Sequence, residues 1–207
     1  MKTLRKFLAT AGMLAATAAS AAAQPVNYTT TARFTSGSAT CNQLVAAATA
    51  TCSTGSFSLL FRGTMGTNIG NGSVASLGTF LLTGMGNQIV PPGAVTFELF
   101  INQTTPSVGS GNFVGSITGT VTTGPDGNIS SLVWAPNQTR SIGLATYTMI
   151  FDNIGPGAGR GLGIPINNER GINALVNTNV VPEPATNALL ATGLLALGMY
   201  IRRRRTS

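Results

Sequence analysis

The chain has 207 residues, 43% of them hydrophobic and only 8% charged, with a formal net charge of +7 and no histidine. That excess does not describe a nucleic-acid binder, because Lys2, Arg5, Lys6, Arg202, Arg203, Arg204 and Arg205 all sit at the two ends, while between Gln24 and Val181 five arginines face four carboxylates, 5 − 4 = +1. Without histidine neither a Ser-His-Asp nor a Cys-His site can be assembled, and two cysteines alone cannot close a zinc site, so no metal and no cofactor is expected.

Lys2, Arg5 and Lys6 open the chain with positive charge, 7–19 is an apolar stretch, and Ala21, Ala22 and Ala23 supply small residues. This is the layout of a secretory signal helix over 1–23, cut by signal peptidase after Ala23 to leave Gln24 as the new N-terminus. A retained membrane helix is the alternative, for which the apolar stretch is short. Residues 24–178 follow as one exported domain, long enough for a true core and too apolar for a disordered chain. Its only cysteines, Cys41 and Cys52, are expected to form a disulfide in an oxidising compartment. The alanine-rich 44–50 between them forms either a short helix or a loop excursion.

From Ser56 onward the hydrophobic period is two. Phe57, Leu59 and Phe61 alternate with Ser58, Leu60 and Arg62, and Val95, Phe97, Leu99 and Ile101 alternate with Thr96, Glu98, Phe100 and Asn102. A hairpin joins 114–123 to 128–135 through Gly124, Pro125, Asp126 and Gly127, residues that a tight turn favours. Tyr147, Met149 and Phe151 mark a further strand, with shorter candidates at 27–35 and 73–82. Six or seven short strands separated by Gly, Pro and Asn predict a mainly β fold, an antiparallel β-sandwich or jelly-roll-like single domain, with a flattened barrel as runner-up. It is flanked by the signal helix and a C-terminal transmembrane helix.

Candidate chemistry within the body is sparse. A carboxylate-pair glycosidase needs two acidic groups, and Glu98 with Asp152 is the only pair on predicted strands. Asp126 belongs to a turn, and Glu169 adjoins Arg170 in a predicted loop. Glycines at 155, 157, 159, 161 and 163 match neither G-x-G-x-x-G nor a Walker pattern, so 155–164 reads as a surface loop displaying Arg160. Asp152 and Asn153 are isolated candidates for calcium. Trp134 is a candidate sugar contact, since an exposed aromatic stacks on a sugar ring, although a single tryptophan in a sandwich equally fills a core.

The last segment, 179–207, has its own grammar. Val181, Pro182, Glu183 and Pro184 precede an apolar run at 185–201, and Arg202, Arg203, Arg204 and Arg205 close it. The prolines fix their own backbone and bias Val181 and Glu183 away from helix, which leaves an extended strip before the span. As a helix, 185–201 would be about 25 Å long, slightly under a hydrocarbon thickness that the arginine stems can make up. Arginines clustered behind an apolar run stay cytoplasmic, so the body lies on the other side. The same residues also suit a plain membrane anchor.

Pro182, Glu183 and Pro184, the span and the arginine block resemble the PEP-CTERM class of bacterial exported proteins. The resemblance covers only this terminal segment. It implies a Gram-negative source, often one making exopolysaccharide, and an exosortase-type membrane peptidase that recognises the tripeptide and removes the helix. The chain would then be anchored transiently in the inner membrane with its body in the periplasm, and afterwards reach the cell surface or exterior. The body resembles, in style of sequence, the choice-of-anchor β-sandwich ectodomains that precede such tails. The expected role is a non-enzymatic surface or extracellular-matrix protein; the alternatives are a carbohydrate-binding module and, behind it, a carboxylate-pair hydrolase.

Overall fold

The computed structural model describes residues 23–36, 41, 43–54, 57–84, 88–121, 130–135, 138–151, 161–179, 190, 192–194 and 196–198, with 54, 88–94, 118–121 and 130–132 described by backbone alone. The chain divides into two compact units, Gln24–Asn179 and a second made of Met1–Ala23 with Val180–Ser207. Among the described residues twelve strands build the first: β1 (Val26–Ser36), β2 (Thr49–Thr54), β3 (Phe57–Arg62), β4 (Met65–Ile69), β5 (Ser73–Gly84), β6 (Gln88–Thr105), β7 (Gly109–Val121), β8 (Ser130–Trp134), β9 (Thr139–Ile142), β10 (Ala145–Ile150), β11 (Gly161–Ile164) and β12 (Glu169–Thr178). They form two six-stranded antiparallel sheets, in the orders β11-β8-β7-β6-β1-β4 and β2-β3-β5-β12-β10-β9.

Alternation decides which face each strand buries. In β3, Phe57, Leu59 and Phe61 are buried while Arg62 is exposed, and in β6 Val95, Phe97, Leu99 and Ile101 are buried against their half-buried neighbours. The two inner faces meet through aromatic rings. Phe97 of the first sheet lies with its centroid 4.6 Å from Phe80 and 5.3 Å from Phe61 of the second, and 5.2 Å from Phe34 on its own sheet. Farther along, Tyr28 and Tyr147 cross at 90° with centroids 6.0 Å apart. Edge-to-face pairs of this kind add about 1 kcal/mol each beyond the area they bury.

Two interruptions have local causes. The β6–β7 ladder steps from Val90 to Val95 across Pro91 and Pro92, which have no N–H to donate. The β12–β5 register slips between Ile172 and Asn173, opposite Gly78, whose φ of +132° is one that side-chain-bearing residues avoid. A Cβ there would stand 2.5 Å from the Arg62 carbonyl oxygen and 2.6 Å from the Phe61 ring. Gly78→Ala is therefore expected to cost about 2 kcal/mol or more, read as a lower urea midpoint with an unchanged slope.

Cys41 and Cys52 are bonded, across a sequence separation of 11. The intervening segment is a loop and not a helix. The Gln43 N–H donates to the Phe34 carbonyl, the Phe34 N–H donates to Gln43 Oε1, and Ala47 bridges Ala32 before β2 begins at Thr49. Pairing with β1 and β3 on both sides outweighs the helix propensity of the alanines. Reduction of this bond is expected to lower stability by about 3 kcal/mol in the chain-entropy picture, measured as the urea midpoint with and without reductant.

Several expectations from sequence change. The chain has nearly twice the expected number of strands among the described residues alone. Glu169 is not in a loop but opens β12 opposite Leu81, on the outer surface, where it pairs with Arg62. Gly161–Ile164, the end of the expected surface loop, is strand β11 with all four residues buried. Glycine in that strand leaves room for close packing, which glycine content alone does not distinguish from a loop. Residues 152–160, including Asp152, Asn153 and Arg160, and the turn residue Asp126 lie outside the described residues.

Candidate functional site at the exit of the C-terminal segment

The body ends where β12 ends, and the surrounding turns explain why it ends firmly. The Thr178 N–H donates to Asn71 Oδ1 at 2.8 Å, and the Asn179 N–H donates to the Leu144 carbonyl at 2.9 Å. The Leu144 N–H in turn donates to Ser107 Oγ at 3.2 Å, in the turn that follows the cis Thr105–Pro106 bond. Thr105 Oγ1 donates to the Pro25 carbonyl, and the Asn68 N–H donates to Asn27 Oδ1, so the start of β1 joins the same set. A belt of hydrogen bonds thus links the first and last strands through the β4–β5, β6–β7 and β9–β10 turns. Both ends of the body emerge at one pole.

Beneath this belt lies a buried polar group that sequence reading passed over. Gln103, only 2% exposed, donates through Nε2 to the carbonyls of Ser107 (2.9 Å) and Ile142 (3.1 Å), and its Oε1 accepts from the Tyr147 hydroxyl at 2.9 Å. Its signal was its parity, since it continues the inward register of Leu99 and Ile101. Without it the Ile142 carbonyl and the Tyr147 hydroxyl would be left unpaired in the interior, so the glutamine holds two turns in place. Burial pushes the Tyr28 hydroxyl up to about 12, and burial together with the charge of Tyr28 pushes Tyr147 higher still.

The N-terminal exit is open. Gln24 and Pro25 are exposed immediately ahead of β1. Ala21 lies outside the described residues, and Ala23 is half-buried.

Beyond Asn179 the second unit begins. Residues 180–205 match the PEP-CTERM protein-sorting motif. The sorting motif therefore starts on the first residue past the compact body. No curated protein and no solved structure gives a significant match to this chain. The chain therefore carries a PEP-CTERM protein-sorting motif behind a body that is mainly β and holds a disulfide. Pro182, Glu183, Pro184 and the arginines Arg202, Arg203, Arg204 and Arg205 lie outside the described residues. Within 185–201, Leu190, Thr192, Gly193, Leu194, Ala196, Leu197 and Gly198 are helical. Among the described residues no helix is long and apolar enough to cross a membrane. Leu190, Leu194 and Leu197 are 66%, 63% and 58% exposed, at the spacing that puts three leucines on one helical face.

The remaining candidates are placed as follows. Trp134 is 3% exposed, with its ring edge-on to Phe97 at 5.9 Å and Phe113 at 6.3 Å. Its indole fills the core and offers no face to a sugar. Trp134→Ala is expected to cost about 3–5 kcal/mol of stability, seen as a lowered melting temperature. Glu98 stands on the outer face of the first sheet, directly opposite Arg33, and is ion-paired with it. Among the described residues no three of His, Cys, Asp and Glu gather to hold a metal ion.

Proposed function

We propose that this protein is an exported, non-enzymatic envelope or matrix component whose C-terminal segment inserts into the inner membrane and is then removed at Pro182, Glu183 and Pro184 by an exosortase-type peptidase. The observation that carries this reading is the sorting motif at 180–205, starting one residue past a folded, disulfide-bonded body. Prolines on both sides of Glu183 disfavour helix at that position, which suits the extended substrate a protease groove accepts. The arginines behind the apolar run resist translocation, and the leucine face at Leu190, Leu194 and Leu197 suits lipid. At the other end, signal peptidase cleavage after Ala23 leaves Gln24 as an exposed residue just ahead of β1, where trimming disturbs no strand. For chemistry the supply is short, because both cysteines are bonded and Glu98 is engaged by Arg33.

Topology reporters test this directly. In cells lacking the peptidase, a reporter active only outside the cytoplasm should work when fused after Asn179, and one active only inside should work after Ser207. Silence of the first reporter and activity of a cytoplasmic one at both positions contradicts export.

A second reading, contact with a neutral glycan such as an exopolysaccharide, is favoured by one observation. Among the described residues Phe100 is the aromatic on the outer face of the first sheet, opposite Thr31 on β1 and Asn112 on β7. Arg33 stands with its guanidinium carbon 5.5 Å from that ring's centre, and Glu98 and Asn102 lie two residues away along β6. The guanidinium overlies this half-buried ring, and with Asn102 and Asn112 beside the neutralised ion pair the patch presents hydrogen-bonding groups and an aromatic edge without net charge. Polysaccharide pull-down should weaken about tenfold on Phe100→Ala, a loss of roughly 1.4 kcal/mol; native protein that retains no glycan removes the reading.

A further inference from the structure

We propose that the pole of the body around Asn179 is a docking surface for the membrane-embedded peptidase that cuts the sorting strip. The inference rests on Pro182, Glu183 and Pro184 being that enzyme's substrate, and the short tether between strip and body requires it. Asn179 is the last residue fixed by the belt, and only Val180 and Val181 separate it from Pro182. Three extended residue steps cover about 11 Å. A domain of this length has a radius of gyration of about 15 Å. The body cannot hang clear of an enzyme that grips the strip; it must rest against it by this pole, or β12 must unzip. Unzipping would break the Thr178–Asn71 and Asn179–Leu144 hydrogen bonds and draw the fully buried Val176 out of the core.

The chemistry of the pole fits such a partner. Pro25, Asn71, Gly72, Val108, Gly143 and Asn179 are exposed there, and none is ionisable. Val108, 86% exposed, offers an apolar contact. The ion pairs Arg33–Glu98 and Arg62–Glu169 lie farther along the strands, and Arg140 is three residues back from Gly143. A neutral end can approach a membrane-embedded enzyme without stripping water from an ion, a step that costs several kcal/mol per charge.

The test follows conversion of the full-length chain by intact mass in cells that contain the peptidase. V108R should slow processing about tenfold with an unchanged melting temperature, because Val108 is so exposed. V45R is the matched control, since Val45 is 77% exposed in the disulfide loop, which is held at the other end of β1. It should convert at the native rate. Inserting about eight Gly/Ser residues after Asn179 in V108R, a span of roughly 15 Å, should restore the native rate by freeing the body from the enzyme. V108R converting at the native rate, or equal slowing by V45R, overturns the docking surface while leaving the substrate reading intact. A native chain that is never converted, with or without the insert, overturns both.

Discussion

Phe97→Ala should cost about 4 kcal/mol, a large share of the 5–15 kcal/mol that typically holds a domain together. Among the described residues no other side chain touches so many rings: Phe34, Phe61, Phe80 and Trp134 all have centroids within 6 Å of it. Three of those rings belong to β1, β3 and β5, and Phe97 itself to β6, so the cavity would open between the two sheets and not at an edge. Neighbouring strands are fixed by their ladders and can collapse only partly into it, which is why the cost exceeds the transfer energy of the lost atoms. Urea unfolding measures it as a shift in midpoint with an unchanged slope. A shift equivalent to less than about 1 kcal/mol would mean that the sheets do not meet through this cluster.

Stability should be level from about pH 6 to pH 10 and then fall steeply. The body has no lysine and no histidine, and its cysteines are bonded, so between its carboxylates and its tyrosines little changes charge. Tyr28 is 2% exposed and donates to the Ser76 carbonyl, while Tyr147 is fully buried and donates to Gln103. An unfolded tyrosine loses its proton near pH 10. The fold holds that of Tyr28 to about 12 and that of Tyr147 beyond, since burial penalises the phenolate. Above pH 10 the unfolded chain therefore binds fewer protons than the folded one, and stability drops with rising pH by roughly 1.4 kcal/mol per unit for each tyrosine. Absorbance near 295 nm, recorded with Tyr200→Phe to silence the third tyrosine, should show no tyrosinate until circular dichroism reports cooperative unfolding. Gradual ionisation near pH 10 with the fold intact would contradict the burial of both hydroxyls.

What the sequence reveals depends on how local the cause is. β3, β6 and β10 were legible because bulky apolar residues occupy one parity and polar ones the other. β12 was not, although it lies at the centre of its sheet: Ile172, Ala174 and Val176 point inward, but Asn173 among them and Gly171 and Asn177 on either side dilute the run below a recognisable pattern. β11 was hidden by Gly161 and Gly163, whose burial depends on neighbours that sequence does not show. Trp134 follows Leu132 and Val133, so apolar bulk stands on both parities, and only the packing of Phe97 and Phe113 decides which side is inside. Gln103 was legible in parity and overlooked because it is polar; two of its three partners, Ile142 and Tyr147, stand 39 and 44 residues away. The sorting segment needs no tertiary partner to be recognised, since prolines, an apolar run and clustered arginines act through backbone restriction and lipid partition alone.

The mass of the mature chain decides between processing at both ends and a permanent anchor. From cells with the peptidase, the recovered protein should begin at Gln24, end within or beside Pro182, Glu183 and Pro184, and weigh two hydrogens less than its reduced form; from cells without it, the chain should still run to Ser207. Protein ending at Ser207 in both, or recovered from the cytosol with free thiols at Cys41 and Cys52, would contradict it.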